Sequence, residues 1–198
     1  MKIQQTFKNS LRIPLTLALL LLSMCSMAQD RQAIAGNWVI NTDLSDNTDS
    51  QVAKALRAMG EKVSRCWLRC EEDRFRGGPK EQELYDRISY DKGLLINLGE
   101  QEYLFTYDDN YRRPVFTDGR SQSVSLTGLD NVEDFSFAHW EDNSLLVEAR
   151  PRDGGFANEI YTLIDEGTHL RVEMYIQPRS FDIPLEIVRI YDRVVENN

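Results

Sequence analysis

Apolar and polar residues alternate with a period of two along most of the chain from Leu84 onward. Such alternation is typical of β-strands that bury one face and expose the other. The alternating sets are Leu94, Ile96 and Leu98; Tyr103, Phe105 and Tyr107; Val124 and Leu126; Phe135, Phe137 and His139; Leu145 and Val147; Ile160, Thr162 and Ile164; Leu170, Val172, Met174 and Ile176; and Leu185, Ile187, Arg189 and Tyr191. Turn-forming segments such as Asp91-Lys92-Gly93 and Glu166-Gly167 separate these sets. The pattern predicts about ten strands at meander spacing, in an up-and-down antiparallel β-barrel or a sandwich.

A first strand and a helical segment precede this meander. Gly36-Asn37-Trp38-Val39-Ile40 is predicted to be the strand. Apolar residues then recur at steps of three and four, the spacing of one helical face, at Val52, Leu56, Met59, Val63 and Trp67. The predicted insert covers about residues 49–75, and Arg76-Gly77-Gly78-Pro79 is predicted to end it. Gly60 lies inside the pattern, which fits either one helix or two helices joined by a tight turn.

The first 28 residues have the parts of a secretory signal peptide. A cationic stretch contains Lys2, Lys8 and Arg12. An uncharged apolar run over 13–24 follows, and Ser26-Met27-Ala28 supplies the small residues of a cleavage site, so the cut is predicted after Ala28. The run is shorter than the roughly 20 residues that cross a bilayer. An uncleaved anchor and a lipoprotein acylated at Cys25, where Met24 is bulkier than usual, are the alternatives.

Removal of this leader leaves residues 29–198, long enough for one domain with a sizeable core. The leader holds three of the 23 Lys and Arg residues and none of the 32 acids, so the mature chain carries a net charge of −12. Nucleic acid and anionic membrane surfaces need a cationic face, so neither is predicted as a partner. No later segment is apolar enough to span a membrane. The predicted location is periplasmic or secreted.

The sequence contains no familiar catalytic, metal or cofactor motif. Gly-x-Ser-x-Gly, His-Glu-x-x-His and phosphate-binding loops are absent, so no metal, no cofactor and no enzyme class is predicted. Cys66 and Cys70 lack neighbouring ligands that would complete a zinc site, and are interpreted as partly buried thiols or a local disulfide. Arg112-Arg113 is interpreted as surface charge.

Two short motifs at opposite ends of the chain resemble a known group of proteins. Gly36-Asn37-Trp38 is similar to the Gly-x-Trp opening of the lipocalin and fatty-acid-binding (calycin) superfamily. Arg189-Ile190-Tyr191 resembles the closing Arg-x-Tyr of the fatty-acid-binding branch, whose Arg and Tyr hold a ligand carboxylate. The resemblance implies a barrel with a helical lid. It also implies that Gly36 and Trp38 are structural, with Trp38 stacked under Arg193 or Arg189 at the barrel floor.

Arg189, Tyr191 and His139 are the predicted ligand-binding residues. Arg189 and Tyr191 share a strand face with Leu185 and Ile187, so an interior face would place a guanidinium in an apolar cavity. A buried charge is costly unless it is paired, and an acidic ligand would supply the pair. The alternative is that Arg189 pairs with a protein acid or faces water. His139 is in line with two phenylalanines of its strand and is predicted to point into the barrel.

The sequence therefore predicts an exported soluble binding protein for a small hydrophobic ligand, with a fatty acid or a similar apolar acid as the first candidate. The alternative is an interaction or structural protein of the envelope whose barrel is filled by its own side chains. The residues expected to fill the interior in that case are Phe105, Phe135, Phe137, Met174 and Tyr103. Oligomeric state and ligand identity do not follow from the sequence.

Overall fold

The structure is a computed structural model that describes residues 31–61, 63, 78–88, 92–100, 102–108, 110–124, 134–151 and 154–195. The signal peptide with its cut after Ala28, the alternative of acylation at Cys25, and the state of Cys66 and Cys70 lie outside these residues. They stay predictions.

Ten strands form one antiparallel sheet in the described part of the chain. Their bounds are β1 Gly36–Ile40, β2 Gly93–Leu98, β3 Glu102–Tyr107, β4 Arg112–Phe116, β5 Gln122–Val124, β6 Asp134–Glu141, β7 Ser144–Pro151, β8 Gly155–Ile164, β9 His169–Pro178 and β10 Leu185–Arg193. Two helices, α1 Thr48–Ala58 and α2 Pro79–Tyr85, lie between β1 and β2. A single 3₁₀ turn, Asp165–Gly167, joins β8 to β9.

The strand order is β4-β3-β2-β1-β10-β9-β8-β7-β6-β5, so each strand pairs with its neighbours in sequence and β1 also pairs with β10. That first-to-last pairing bends the meander into a nearly closed barrel. β4 and β6 approach each other across the remaining seam. The prediction of an up-and-down antiparallel barrel with about ten strands and helices after the first strand is confirmed, and the sandwich alternative is not.

The helices cover β9 and β10. Asn47 caps α1 by accepting a hydrogen bond from the backbone N–H of Ser50 at 2.9 Å, and Val52 and Leu56 face the core. The predicted end of the insert near residue 75 was wrong, because Pro79 begins α2. Proline suits the first turn of a helix, where its missing N–H has no intrahelical partner. No helix among the described residues combines the length and the apolarity that a membrane crossing requires.

Candidate functional site

Gly36, Trp38 and Arg193 meet where β1 pairs with β10. Trp38 is fully buried, it lies opposite Arg193 in the strand register, and the guanidinium carbon stands 4.1 Å from the centre of the Trp38 rings. Arg193 also donates hydrogen bonds to the carbonyl oxygens of Gly167 (2.8 Å) and Ala35 (3.2 Å). Gly36 has a φ of +151°, which L side chains rarely adopt, and a Cβ there would lie 2.8 Å from the Arg193 Nη1 atom, so backbone and packing both favour glycine. The arrangement joins both ends of the meander at one floor of the barrel.

Arg189 and Tyr191 lie on the interior face of β10. Both side chains are buried, with 3% of each residue exposed. They lie on the same inward face of the strand as Leu185 and Ile187. The Arg189 Nη2 atom donates to the Thr48 hydroxyl at 3.4 Å, which ties the strand to the first residue of α1. Arg189 thus lies beside the start of α1, and Tyr191 occupies the next position on the same strand face. Their role in holding a ligand stays a prediction.

His139 does not point into the barrel, and that prediction was wrong. On β6 the buried residues are Ser136 and Ala138, whereas His139 lies on the exposed face with Phe135 and Phe137. The two phenylalanines, 42% and 39% exposed, do not fill the interior either. Their alternation correctly indicated a strand but gave the wrong face, because this strand buries its small residues.

An ion pair crosses the barrel interior between β4 and β8. The Arg113 Nη1 atom lies 2.7 Å from Glu159 Oε2, and the two side chains are 0% and 8% exposed. Arg113 is buried completely, so its interpretation as surface charge was wrong. β4 and β8 do not pair in the sheet, so the two side chains meet through the lumen. This pair is the principal polar feature of the interior that the sequence analysis missed.

Three aromatic side chains surround this pair. The Tyr161 hydroxyl donates to Glu159 Oε2 at 3.0 Å, and Arg113 Nη1 donates to the Tyr107 hydroxyl at 3.4 Å. Phe105 packs edge-on against the Tyr161 ring at 5.1 Å between centroids. Glu159 therefore accepts two hydrogen bonds from buried donors on the same oxygen.

The electrostatics keep the Arg113 guanidinium charged and the Tyr161 phenol neutral. Burial by itself lowers the pKa of the Arg113 guanidinium, but the Glu159 charge and the two tyrosines outweigh it and raise the pKa above the ordinary value. Burial raises the pKa of Tyr161 well above its usual value, and the Glu159 carboxylate raises it further. Tyr161 is therefore a neutral hydrogen-bond donor to Glu159.

The Arg113–Glu159 pair lies close to Arg189 along the barrel wall. Tyr161 pairs with Val172, and Val172 pairs with Arg189, so these three residues form one rung across β8, β9 and β10. Glu159 lies on the neighbouring interior position of β8. Among the described residues, no group of three or more His, Cys, Asp or Glu side chains could hold a metal ion.

Two solved structures show the same fold. Lipid binding protein 8 from Caenorhabditis elegans, in its apo form, is 11% identical, with a TM-score of 0.51, and the match covers 82% of this chain and 96% of that one. Secretory abundant heat soluble protein 4 from Ramazzottius varieornatus is 13% identical, with a TM-score of 0.50 over 81% of this chain and 94% of that one. The fold is that of the fatty-acid-binding and lipocalin-like barrels. No protein-family model and no curated protein matches the sequence.

The resemblance inferred from the two ends of the chain is thus confirmed for this barrel fold. The Arg113–Glu159 pair was missed because the period-two pattern of β8 was assigned to Ile160, Thr162 and Ile164, which lie on the other face from Glu159 and Tyr161. A usable signal was present. Arg113 shares a strand face with the apolar Val115 on β4, and Glu159 shares one with Tyr161 on β8.

Proposed function

We propose that this chain is an exported binding protein that holds a small hydrophobic ligand inside the barrel, with a fatty acid or a similar apolar acid as the first candidate. The observation that carries the proposal is the charge of the interior. The charged side chains that the described residues bury to more than nine-tenths are Arg87, Arg113, Arg189, Glu81 and Glu159. On the barrel wall itself these are Arg113 and Glu159, which pair with each other, and Arg189 on β10, and a cation in a low-dielectric surrounding favours an anionic group.

Arg189 and Tyr191 are the proposed anchors of that acid. They lie on the interior face of β10, Arg189 against the first residue of α1, next to apolar wall residues that can contact a hydrocarbon chain. A guanidinium and a phenol hydroxyl suit a carboxylate, because the first provides paired N–H groups and the second adds one further donor. One of the proteins with the same fold is named a lipid binding protein, which supports a hydrophobic ligand in general.

The test uses the mature chain from residue 29, freed of bound lipid. A fluorescent fatty acid should bind to it, and Arg189→Leu should weaken that binding more than tenfold. Arg171→Leu is the matched control, because Arg171 lies on the outer face of the neighbouring strand β9 and should leave binding unchanged. Circular dichroism checks that each variant is folded. Unchanged binding in Arg189→Leu would reject the anchor, and the absence of binding to the wild-type chain would reject the function.

A filled barrel with an interaction or structural role in the envelope is the second candidate. The observation in its favour is the Arg113–Glu159 pair, which occupies part of the lumen together with Phe105 and Tyr161. Native mass spectrometry of freshly purified material separates the two candidates. A co-purified small molecule that is released on denaturation supports the binding protein, whereas a bare chain that crosslinks to one envelope protein supports the second candidate.

Export is part of the proposal and has its own test. The chain should be expressed with residues 1–28 in a Gram-negative host, and the periplasmic fraction should contain a product that begins at Gln29. A product that begins at an acylated Cys25 would indicate a lipoprotein. Retention of Met1 in the membrane fraction would indicate an uncleaved anchor.

A further inference from the structure

One edge of the Arg113 guanidinium remains open after the ion pair is made. Nη1 is used by Glu159 and Tyr107, whereas Nε and Nη2 are buried and have no hydrogen-bond acceptor among the residues that the structure describes. Nε–H and Nη2–H form the side-on fork of a guanidinium, with two parallel donors that converge on one acceptor group. Buried donors without an acceptor are costly and uncommon. This fork therefore points to an acceptor that the described chain does not supply.

The local charge indicates what kind of acceptor fits. Arg113 is already neutralised by Glu159 at 2.7 Å, so a second carboxylate at the fork would bury an additional negative charge beside the first. A carbonyl oxygen brings two lone pairs and no net charge. It also has no hydrogen that would face the two donors. A neutral carbonyl thus accepts both hydrogen bonds of the fork without adding net charge beside the Arg113–Glu159 pair.

We propose that Arg113 is a second ligand contact in the barrel, one that receives a carbonyl oxygen within the apolar chain of the ligand. This inference rests on the proposed function, in which Arg189 and Tyr191 take the carboxylate. β9 alone separates β8 from β10, and Glu159 lies two residues along β8 from the rung of Arg189, so the two positions are about 12 Å apart along the wall. The carboxylate and the carbonyl of one ligand are then several bonds apart. The ligand class is an oxo acid, a long apolar acid with an in-chain keto group.

The test compares octadecanoic acid with a series of oxo-octadecanoic acids that differ in the keto position. Each competes with a fluorescent fatty acid for the lipid-free mature chain. At least one oxo acid should bind about tenfold more tightly than octadecanoic acid, because a site built to donate hydrogen bonds disfavours a ligand that leaves its donors unpaired. Only some keto positions should show the gain, since the distance between the two contacts is fixed by the barrel.

Arg113→Lys distinguishes the effect of the paired N–H donors from the effect of the positive charge. Lysine keeps a cation opposite Glu159 but lacks the planar pair of N–H groups, so the affinity of the best oxo acid should fall to about that of octadecanoic acid in the same variant. Arg171→Lys, on the outer face of β9, is the control and should retain the preference.

The possible failures are distinguishable. If the wild-type chain binds octadecanoic acid and every oxo acid equally well, the carbonyl contact is rejected and the proposed function stands. If it binds none of these acids, the proposed function is rejected together with this inference. A preference that survives in folded Arg113→Lys would also overturn it. If that variant does not fold, the wild-type comparison among keto positions decides.

Discussion

The buried Arg113–Glu159 pair provides a test of how the interior of this barrel is stabilised. Glu159→Leu removes the carboxylate and leaves a guanidinium that is 0% exposed without its counter-ion. At 2.7 Å and an effective dielectric constant of 20, the attraction between the two charges is about 6 kcal/mol. Several kcal/mol of desolvation for each ion oppose this attraction, so the intact pair contributes little net stability.

Removing one partner is different, because the desolvation cost of the other remains. Glu159→Leu and Arg113→Met should each lower the free energy of unfolding by about 3–5 kcal/mol. The double variant should lie within about 2 kcal/mol of the wild type, because two apolar side chains replace two buried charges. Urea unfolding, followed by circular dichroism on all four proteins, gives the coupling energy of the cycle, which should be at least about 3 kcal/mol.

The outer face of the same barrel offers a matched cycle. Arg171 and Glu173 on β9 are 2.8 Å apart, with side chains 39% and 26% exposed. Arg171→Met and Glu173→Leu should couple by no more than about 1 kcal/mol, as is usual for solvent-exposed pairs. The reasoning would be refuted by equal coupling in both cycles, or by an Arg113→Met/Glu159→Leu protein as unstable as the sum of its single variants.

Two further predictions concern glycine and pH. Gly155 and Gly119 both have φ near +86°, but a Cβ on Gly155 would lie 2.1 Å from the Gln177 carbonyl oxygen, whereas Gly119 has nothing within 4 Å. Gly119→Ala should therefore lower the free energy of unfolding by about 1 kcal/mol through backbone strain alone, and Gly155→Ala should lower it clearly more. Equal losses for the two variants in urea unfolding would contradict this. Tyr161 has a raised pKa, so above about pH 10 the unfolded chain loses a proton that the native chain keeps, and stability should fall as pH rises. Tyr161→Phe should reduce that slope by up to about 1.4 kcal/mol per pH unit, and an unchanged slope would show that the buried phenol is not responsible.

The architecture was predictable from the sequence because it depends on where strands and turns alternate. Gly36–Ile40 has the predicted bounds, and β9 and β10 bury the residues that their alternation indicated. These strands bury large apolar residues on one face and expose polar residues on the other. The helical insert was also predictable, apart from α2, whose Pro79 was taken for a stop.

The interior polar site was less predictable for a physical reason. A period of two identifies a strand but not which face is buried, and a shift of one residue exchanges the two faces. On β6 the small Ser136 and Ala138 are inside, and on β8 a carboxylate, Glu159, is inside. Both strands invert the rule that large apolar residues mark the core. The interior position of Arg189 and Tyr191 was predictable because β10 obeys that rule. The Arg113–Glu159 pair was missed because β8 does not.

The incomplete closure of the barrel has a consequence for how the molecule behaves at high concentration. In the described sheet the terminal strands are β4 and β5, and each is an edge at which another chain could add a strand. β4 has Pro114 at its centre, which removes a backbone donor, and β5 is only three residues long. Within the described residues, neither edge offers the long, unbroken row of N–H and C=O groups that intermolecular strand addition requires. The proline in β4 and the shortness of β5 therefore disfavour edge-to-edge aggregation at the open seam.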